Sequence, residues 1–267
     1  MAQSKLHLRP HDFGEGVYHR IDPKSAGWTY VGFEARKLAR GARVSLAGGD
    51  MEICIVIFCG KARVTSASFN SGVIGEREDI FSGLPWSVYI PAKAAAEITA
   101  ETDCEFGICA APGTGKFPPR VIAPKDVECL TRGEGANTRH VRNILSETAE
   151  AESLLVVEVI TPAGNWSSYP PHKHDRDALP AESRLEETYY HRLNPPQGFG
   201  FQRVYTDDRS LDETIAFGDR DVVLVPRGYH PCAAPYGYEL YYLNVMAGPK
   251  RIWRFHNDPA HEWLMKP

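Results

Sequence analysis

Two histidines one residue apart, His172 and His174 in Tyr169-Pro-Pro-His-Lys-His174, are the strongest chemical signal in this sequence. On extended backbone, side chains alternate between faces, so both imidazoles point to one side. Glu187 and His230 follow downstream. Delivered by neighbouring strands, they would complete a site of three imidazoles and one carboxylate. That donor set suits one divalent transition metal, Zn before Mn, Fe, Co or Ni, and leaves positions open for a substrate. The carboxylate is the least determined ligand. Residues 175–186 lie between His174 and Glu187 and include the competitors Glu182 and Glu186. Glu187 is preferred because Thr188-Tyr-Tyr-His191 reads as the start of a strand.

The chain has 10 histidines, and none falls between His19 and His140, so an imidazole site belongs to the second half. His256 and His261 sit in a polar tail that could cap a barrel mouth. The six cysteines, Cys54, Cys59, Cys104, Cys109, Cys129 and Cys232, show no CxxC spacing and read as reduced, mostly buried thiols. Cys232, two residues after His230, would line the pocket.

Composition narrows the class. With 267 residues, 43% hydrophobic and 24% charged, the chain reads as a soluble globular protein of one large or two ordinary domains. A net charge of -4 gives no basic field for nucleic acid or an anionic membrane. No apolar run reaches the roughly 20 residues of a spanning helix, and the N-terminus lacks a signal-peptide pattern. The expectation is a cytoplasmic protein acting on a small molecule.

The elements that must position the ligands read as short strands. Met51 to Phe58 and Leu154 to Ile160 are apolar core strands, and Gly or Pro interrupts the chain every ~8–12 residues, the rhythm of a sandwich or barrel. The expected organisation is an arm (residues 1–27), a barrel (28–111), a linker (112–139) in which Val121-Ile-Ala and Val127-Glu-Cys-Leu can still be strands, and a second barrel (140–267). Each half has an apolar strand, a Gly hairpin and a strand ending in Pro, Pro91 and Pro226, as internal duplication would give. Glu52 stands near the carboxylate position of the first copy, which lacks the histidines and reads as structural.

The second half resembles the cupin pattern. Gly164, His172-Lys-His174 and Glu187 stand for its first motif; Gly218, Pro226-Arg-Gly228-Tyr-His230 and Asn244 stand for its second. The departure is residues 175–186, where cupins generally have only a few residues, so this segment is expected to form a loop. Ser168-Tyr-Pro-Pro-His-Lys-His-Asp175, Leu185-Glu-Glu-Thr-Tyr-Tyr-His191, Pro195-Pro-Gln-Gly-Phe-Gly-Phe-Gln202, Val225-Pro-Arg-Gly-Tyr-His-Pro231 and Tyr241-Tyr-Leu-Asn-Val-Met-Ala-Gly248 together resemble the 5-deoxy-glucuronate isomerase family of myo-inositol catabolism. That family is related to the 4-deoxy-L-threo-5-hexosulose-uronate ketol-isomerases. The likeness covers most of the chain, including Arg132-Gly-Glu-Gly-Ala-Asn137. It implies an all-β bicupin, two tandem jelly-roll barrels, with a divalent metal in the second. It also implies conversion of 5-deoxy-D-glucuronate to 5-dehydro-2-deoxy-D-gluconate.

Aldose–ketose isomerisation holds a carbonyl and its neighbouring hydroxyl, stabilises an enediolate and moves a proton. If Glu187 faces inward, so do Tyr189 and His191. Tyr189, Gln202 and Tyr242 are the catalytic candidates, and Asn244 is a substrate-binding one. The uronate carboxylate calls for a cation, ideally a bidentate Arg, from Arg203, Arg251 or Arg254, with Arg203 opposing Gln202 on an ideal strand. Two other functions compete: a cupin dioxygenase, which needs a largely apolar cavity, and a non-enzymatic sugar-binding bicupin. Barrels of this type also associate through their outer sheets, which allows a homo-oligomer.

Overall fold

Short antiparallel strands account for nearly all regular structure, and helix among the described residues is confined to short segments such as Pro23–Ala26 and Pro259–Met265. The computed structural model describes residues 4–265; Met1–Gln3 of the arm and the last two residues lie outside that range. The chain adopts the expected tandem cupin arrangement. It divides into one unit of Met1–Arg9, Cys129–Val141 and Glu158–Pro267, and another of Pro10–Glu128 and Arg142–Val157.

The second of these units pairs two sheets. One has six strands, in the order Arg120–Ile122, Ser87–Ile90, Met51–Cys59, Cys104–Pro112, Gly32–Leu38 and Val17–Ile21. The other has Arg43–Leu46, Ala96–Ala100, Ala62–Ser66 and Phe69–Ile74. Ile55, Ile57, Val88 and Phe106 from the first sheet form one core with Val44, Val64 and Ile98 from the second. Glu52 is fully buried here. Its carboxylate accepts hydrogen bonds from the Tyr89 hydroxyl (2.6 Å) and from the amides of Glu152 (2.9 Å), Ser153 (2.7 Å) and Leu154 (2.7 Å). A carboxylate so fully engaged is a structural anchor.

The site-bearing unit repeats the plan. The seven-stranded sheet that carries the site runs His7–Leu8, Val222–Val225, Glu186–Asn194, Glu239–Ala247, Leu155–Thr161, Arg139–Leu145 and Glu128–Arg132. The smaller sheet runs Trp166–Ser167, Cys232–Ala233, Gly200–Tyr205 and Asp212–Phe217. His191 of the larger sheet stacks on Phe217 of the smaller at 3.7 Å between ring centroids, closing the interior.

The boundaries differ from those read in the sequence, because backbone polar groups need partners wherever they are covered. His7 and Leu8 of the arm pair with Val223 and Val222. Arg120–Ile122 of the Pro-rich linker pairs with Ser87–Tyr89, and Glu128–Arg132 edges the seven-stranded sheet. Gly and Pro mark these segments as edge strands as readily as linkers.

Two stability outcomes follow. Glu52→Ala strands buried amides and should cost about 3–5 kcal/mol in urea unfolding; a loss under about 1 kcal/mol would remove the anchor role. Glu152 is cradled by the amides of Thr114, Gly115 and Lys116 and by the Thr114 hydroxyl. Burial pushes its carboxyl up, but those hydrogen bonds outweigh it and hold the pKa at about 2. The folded value lies below the ordinary 4.5, so this stabilisation is complete above pH 4.5 and is lost as pH falls towards 2. The urea midpoints of wild type and Glu152→Gln should therefore differ at pH 7 and converge across that window; a gap independent of pH would refute it.

Candidate metal centre

His172 and Lys173 form a two-residue strand against Asn257 and His256 of the C-terminal tail. The alternation is visible at Lys173, which turns away from its neighbours. Its buried ammonium reaches Asp175 Oδ1 at 2.7 Å and Glu182 Oε1 at 3.2 Å. Burial opposes charge on Lys173, but these carboxylates more than compensate and raise its pKa. Residues 175–186, expected as a loop, instead contain a ribbon in which Asp175–Ala178 pairs with Glu182–Arg184. The Glu182 carboxylate holds that ribbon, also accepting from the amides of Asp175 (2.8 Å) and Arg176 (3.1 Å). Glu186 and Glu187 are adjacent on the strand Glu186–Asn194, so they face opposite sides, and Glu187 faces the histidines.

His230 follows a turn that requires glycine. Gly228 has φ +92°, and a Cβ there would lie 2.4 Å from the Tyr205 carbonyl oxygen. The Gly228 amide donates to Asp175 Oδ2 at 2.8 Å, and its carbonyl lies 2.8 Å from His230 Nδ1. One glycine thus ties the ribbon to the second-motif histidine.

The ligand atoms of His174, Glu187 and His230 lie within 4.8 Å of one another, all buried. Glu187 Oε2 is 3.1 Å from His174 Nε2 and 3.2 Å from His230 Nε2. Each histidine turns Nδ1 to a backbone carbonyl: Leu185 for His174 at 3.2 Å, Gly228 for His230 at 2.8 Å, and Pro170 for His172 at 3.4 Å. An Nδ1–H donated this way leaves the Nε2 lone pair free to coordinate. His230 Nε2 is buried with no hydrogen-bond partner. Burial drives His230 and His172 down to about 3, so both are neutral at pH 7. Burial also works against charge on His174, yet the hydrogen bond and charge of Glu187 raise its pKa. This donor set fits a divalent transition metal. His172 stands beside the cluster, its ring 5.1 Å from that of His230 and 4.7 Å from Phe255, with its nitrogens outside the three-residue group.

Above the cluster the wall is polar. The Tyr189 hydroxyl meets Ser168 Oγ at 2.8 Å, and that of Tyr242 meets Ser167 Oγ at 2.6 Å. Burial raises both phenols, so they stay protonated; the charge of Glu187 adds to this at Tyr189. Gln202 donates to the His230 carbonyl at 3.2 Å and meets His191 Nε2 at 2.9 Å. Asn244 is buried opposite Tyr189 in the strand register, its amide 3.5 Å from the Thr188 carbonyl.

Two arginine candidates have other partners. Arg203 alternates away from Gln202 and forms a fork with Asp212, both contacts 2.7 Å. Arg254 is exposed and donates to the Trp253 carbonyl at 2.9 Å. The sequence reading missed Ser167 and Ser168, although they directly precede the Tyr-Pro-Pro-His motif. It also missed Arg139, whose charge acts on Tyr242, Cys232 and Tyr189, because that residue stood at the end of a segment read as linker.

The sequence model of the KduI/IolB family matches residues 6–264. A 5-deoxy-glucuronate isomerase of Geobacillus kaustophilus is 56% identical over 253 residues, covering 94% of this chain and 92% of that protein. One of Bacillus subtilis strain 168 is 50% identical over 260 residues, 96% of each. The crystal structure of an IolB-like protein from Salmonella typhimurium superimposes with a TM-score of 0.96 at 49% identity, covering 98% of this chain and all of that one. Lactobacillus farciminis oxalate decarboxylase, at 14% identity and a TM-score of 0.67 over 96% of this chain and 89% of that one, shares the fold.

Removing a ligand from this set should weaken metal binding by at least the 10–100-fold typical of losing a ligand's supporting partner. His172→Ala and His230→Ala are each expected to lose stoichiometric metal after dialysis, measured by elemental analysis per folded chain. Full metal content in both variants would sink the ligand assignment.

Proposed function

The chain belongs to the KduI/IolB family, and from that premise we propose that it isomerises 5-deoxy-D-glucuronate to 5-dehydro-2-deoxy-D-gluconate in myo-inositol catabolism. The single observation that carries this is the 56% identity, over almost the whole of both chains, to a protein named for that activity. The buried His174–Glu187–His230 cluster supplies a site suited to the reaction.

We assign His174, Glu187 and His230 as metal ligands, with His172 as the fourth, and Zn as the leading metal ahead of Mn, Fe, Co or Ni. A divalent metal, when bound, polarises a carbonyl and acidifies the neighbouring hydroxyl. The rest falls to the chain's own groups. Tyr189 and Tyr242, neutral at pH 7, donate hydrogen bonds to substrate oxygens and hold protons where negative charge develops. Ser168 and Ser167 aim those hydroxyls. Gln202 has both amide ends engaged, which makes it a positioning residue for His230. Asn244 lines the same face and suits a sugar hydroxyl. The free cysteines agree with a reducing, cytoplasmic setting.

The polar wall disfavours the dioxygenase reading, and oxygen dependence separates the two. Metal-reconstituted protein should turn over 5-deoxy-D-glucuronate under anaerobic conditions. No turnover without oxygen, together with an oxygen-consuming substrate, would refute the isomerase. Tyr189→Phe should keep its metal and lower kcat by about 10–1000-fold, the range for losing one hydrogen-bond donor to developing charge; unchanged kcat would remove Tyr189 from the chemistry.

A further inference from the structure

We propose that Arg139, seconded by Arg132, is the clamp for the substrate's carboxylate and sets the preference for a uronate over a neutral sugar. This rests on the isomerase reading above.

Arg139 opens the strand Arg139–Leu145 directly after the turn at residues 133–137. Its Nη1 donates to the Asn137 carbonyl and to Asn137 Oδ1, both at 3.1 Å. The turn is shaped to receive it. Gly133 has φ +75°, and a Cβ there would come within 2.8 Å of Arg139 Nη1 and 2.1 Å of the Asn137 carbonyl oxygen. Among the described residues, Nε and Nη2 of Arg139 have no hydrogen-bond partner, and neither Arg132 nor Arg139 has an ion pair. The fork's Nε–Nη2 edge is therefore available, and that edge matches a carboxylate bidentately. Arg203, by contrast, spends its fork on Asp212.

The turn is also anchored next to the reacting groups. Asn165 Nδ2 donates to the carbonyls of Thr138 (2.9 Å) and Gly135 (3.1 Å). Asn165 leads into Trp166–Ser167, and Ser167 holds the Tyr242 hydroxyl. The charge of Arg139 acts on Tyr242, Tyr189 and Cys232, and both arginines act on His172. Beside this turn lies a recess of about 530 Å³ whose lining includes Gly133, Glu134, Asn137, Trp166 and Tyr169. Two partly buried cations without a protein ion pair, whose charge reaches the inner tyrosines and His172, match the end of the substrate that takes no part in the chemistry.

The test compares 5-deoxy-D-glucuronate with 5-deoxy-D-glucose, which carries hydroxymethyl in place of carboxylate, in wild type, Arg139→Gln and Arg139→Lys. Metal content and melting temperature of each variant are measured alongside. Arg139→Gln should lower kcat/KM for the uronate by about 10–100-fold, mainly through KM, and leave the neutral sugar within about 2-fold. Arg139→Lys should recover part of the loss, since it keeps the charge without the fork. An equal loss on both sugars, or none on the uronate, would overturn the clamp. If Arg139→Gln does not fold, the same selectivity ratio in Arg139→Lys decides. If wild type fails on 5-deoxy-D-glucuronate, the functional reading falls instead. Calorimetric preference for D-glucuronate over D-glucose, lost in the variant or retained, then upholds or overturns the clamp by itself.

Discussion

A carboxylate buried inside a barrel has to be answered by positive charge or by hydrogen-bond donors, and Glu187, 1% exposed, faces the imidazoles of His174 and His230 in a donor set that fits a divalent cation. Much of the site-bearing unit serves that arrangement. Backbone carbonyls of Leu185 and Gly228 fix the imidazoles so that their free nitrogens face the carboxylate. Gly228 permits the turn, and Asp175 grips its amide. Asp175 is held in turn by Lys173, the residue between the first two histidines. The alternation that points His172 and His174 inward also sends Lys173 outward into a carboxylate cluster. One tripeptide therefore carries both the candidate ligands and the tie that keeps them in place.

The two barrels show how one position takes opposite roles. Glu52 and Glu187 are both buried carboxylates on core strands of comparable sheets. Glu52 is saturated by three backbone amides and a tyrosine hydroxyl. Glu187 faces imidazole nitrogens that have nothing else to bind. The difference lies in what surrounds each carboxylate, which in the first copy is the segment Glu152–Leu154 and in the second a set of histidines.

Period-two reading put His174, Glu187, Tyr189 and His191 on strands that face one interior, because sheet alternation is local and periodic. It also placed Arg203 opposite Gln202, although Arg203 was still kept as a carboxylate candidate. What it could not deliver depends on distant pairing. Nothing near His7 announces that it bonds Asp221 at 2.6 Å, and nothing near Glu182 says that its oxygens are taken by Lys173 and two amides. Residues 112–139 read as a linker for a different reason, although strands were kept open there at Val121-Ile-Ala and Val127-Glu-Cys-Leu. Glycine and proline mark where backbone bends, but a bending segment can still edge a sheet, as Glu128–Arg132 does.

The same physics explains why carboxylate recognition would come from that edge rather than from the barrel strands. A guanidinium among the ligands would repel a divalent cation at short range and compete for Glu187. It would also need a buried counter-ion, as Lys173 does. A cation at the rim avoids both problems. It stays partly solvated until substrate arrives, and it meets the end of the sugar acid farthest from the reacting carbons. Arg139 satisfies those conditions: its Nη1 is held by Asn137, and its field reaches the inner tyrosines. Barrel strands then hold the groups that act on the carbonyl end, while the connecting segment reads the acid end. Such a division lets substrate preference change through a turn without disturbing the ligands.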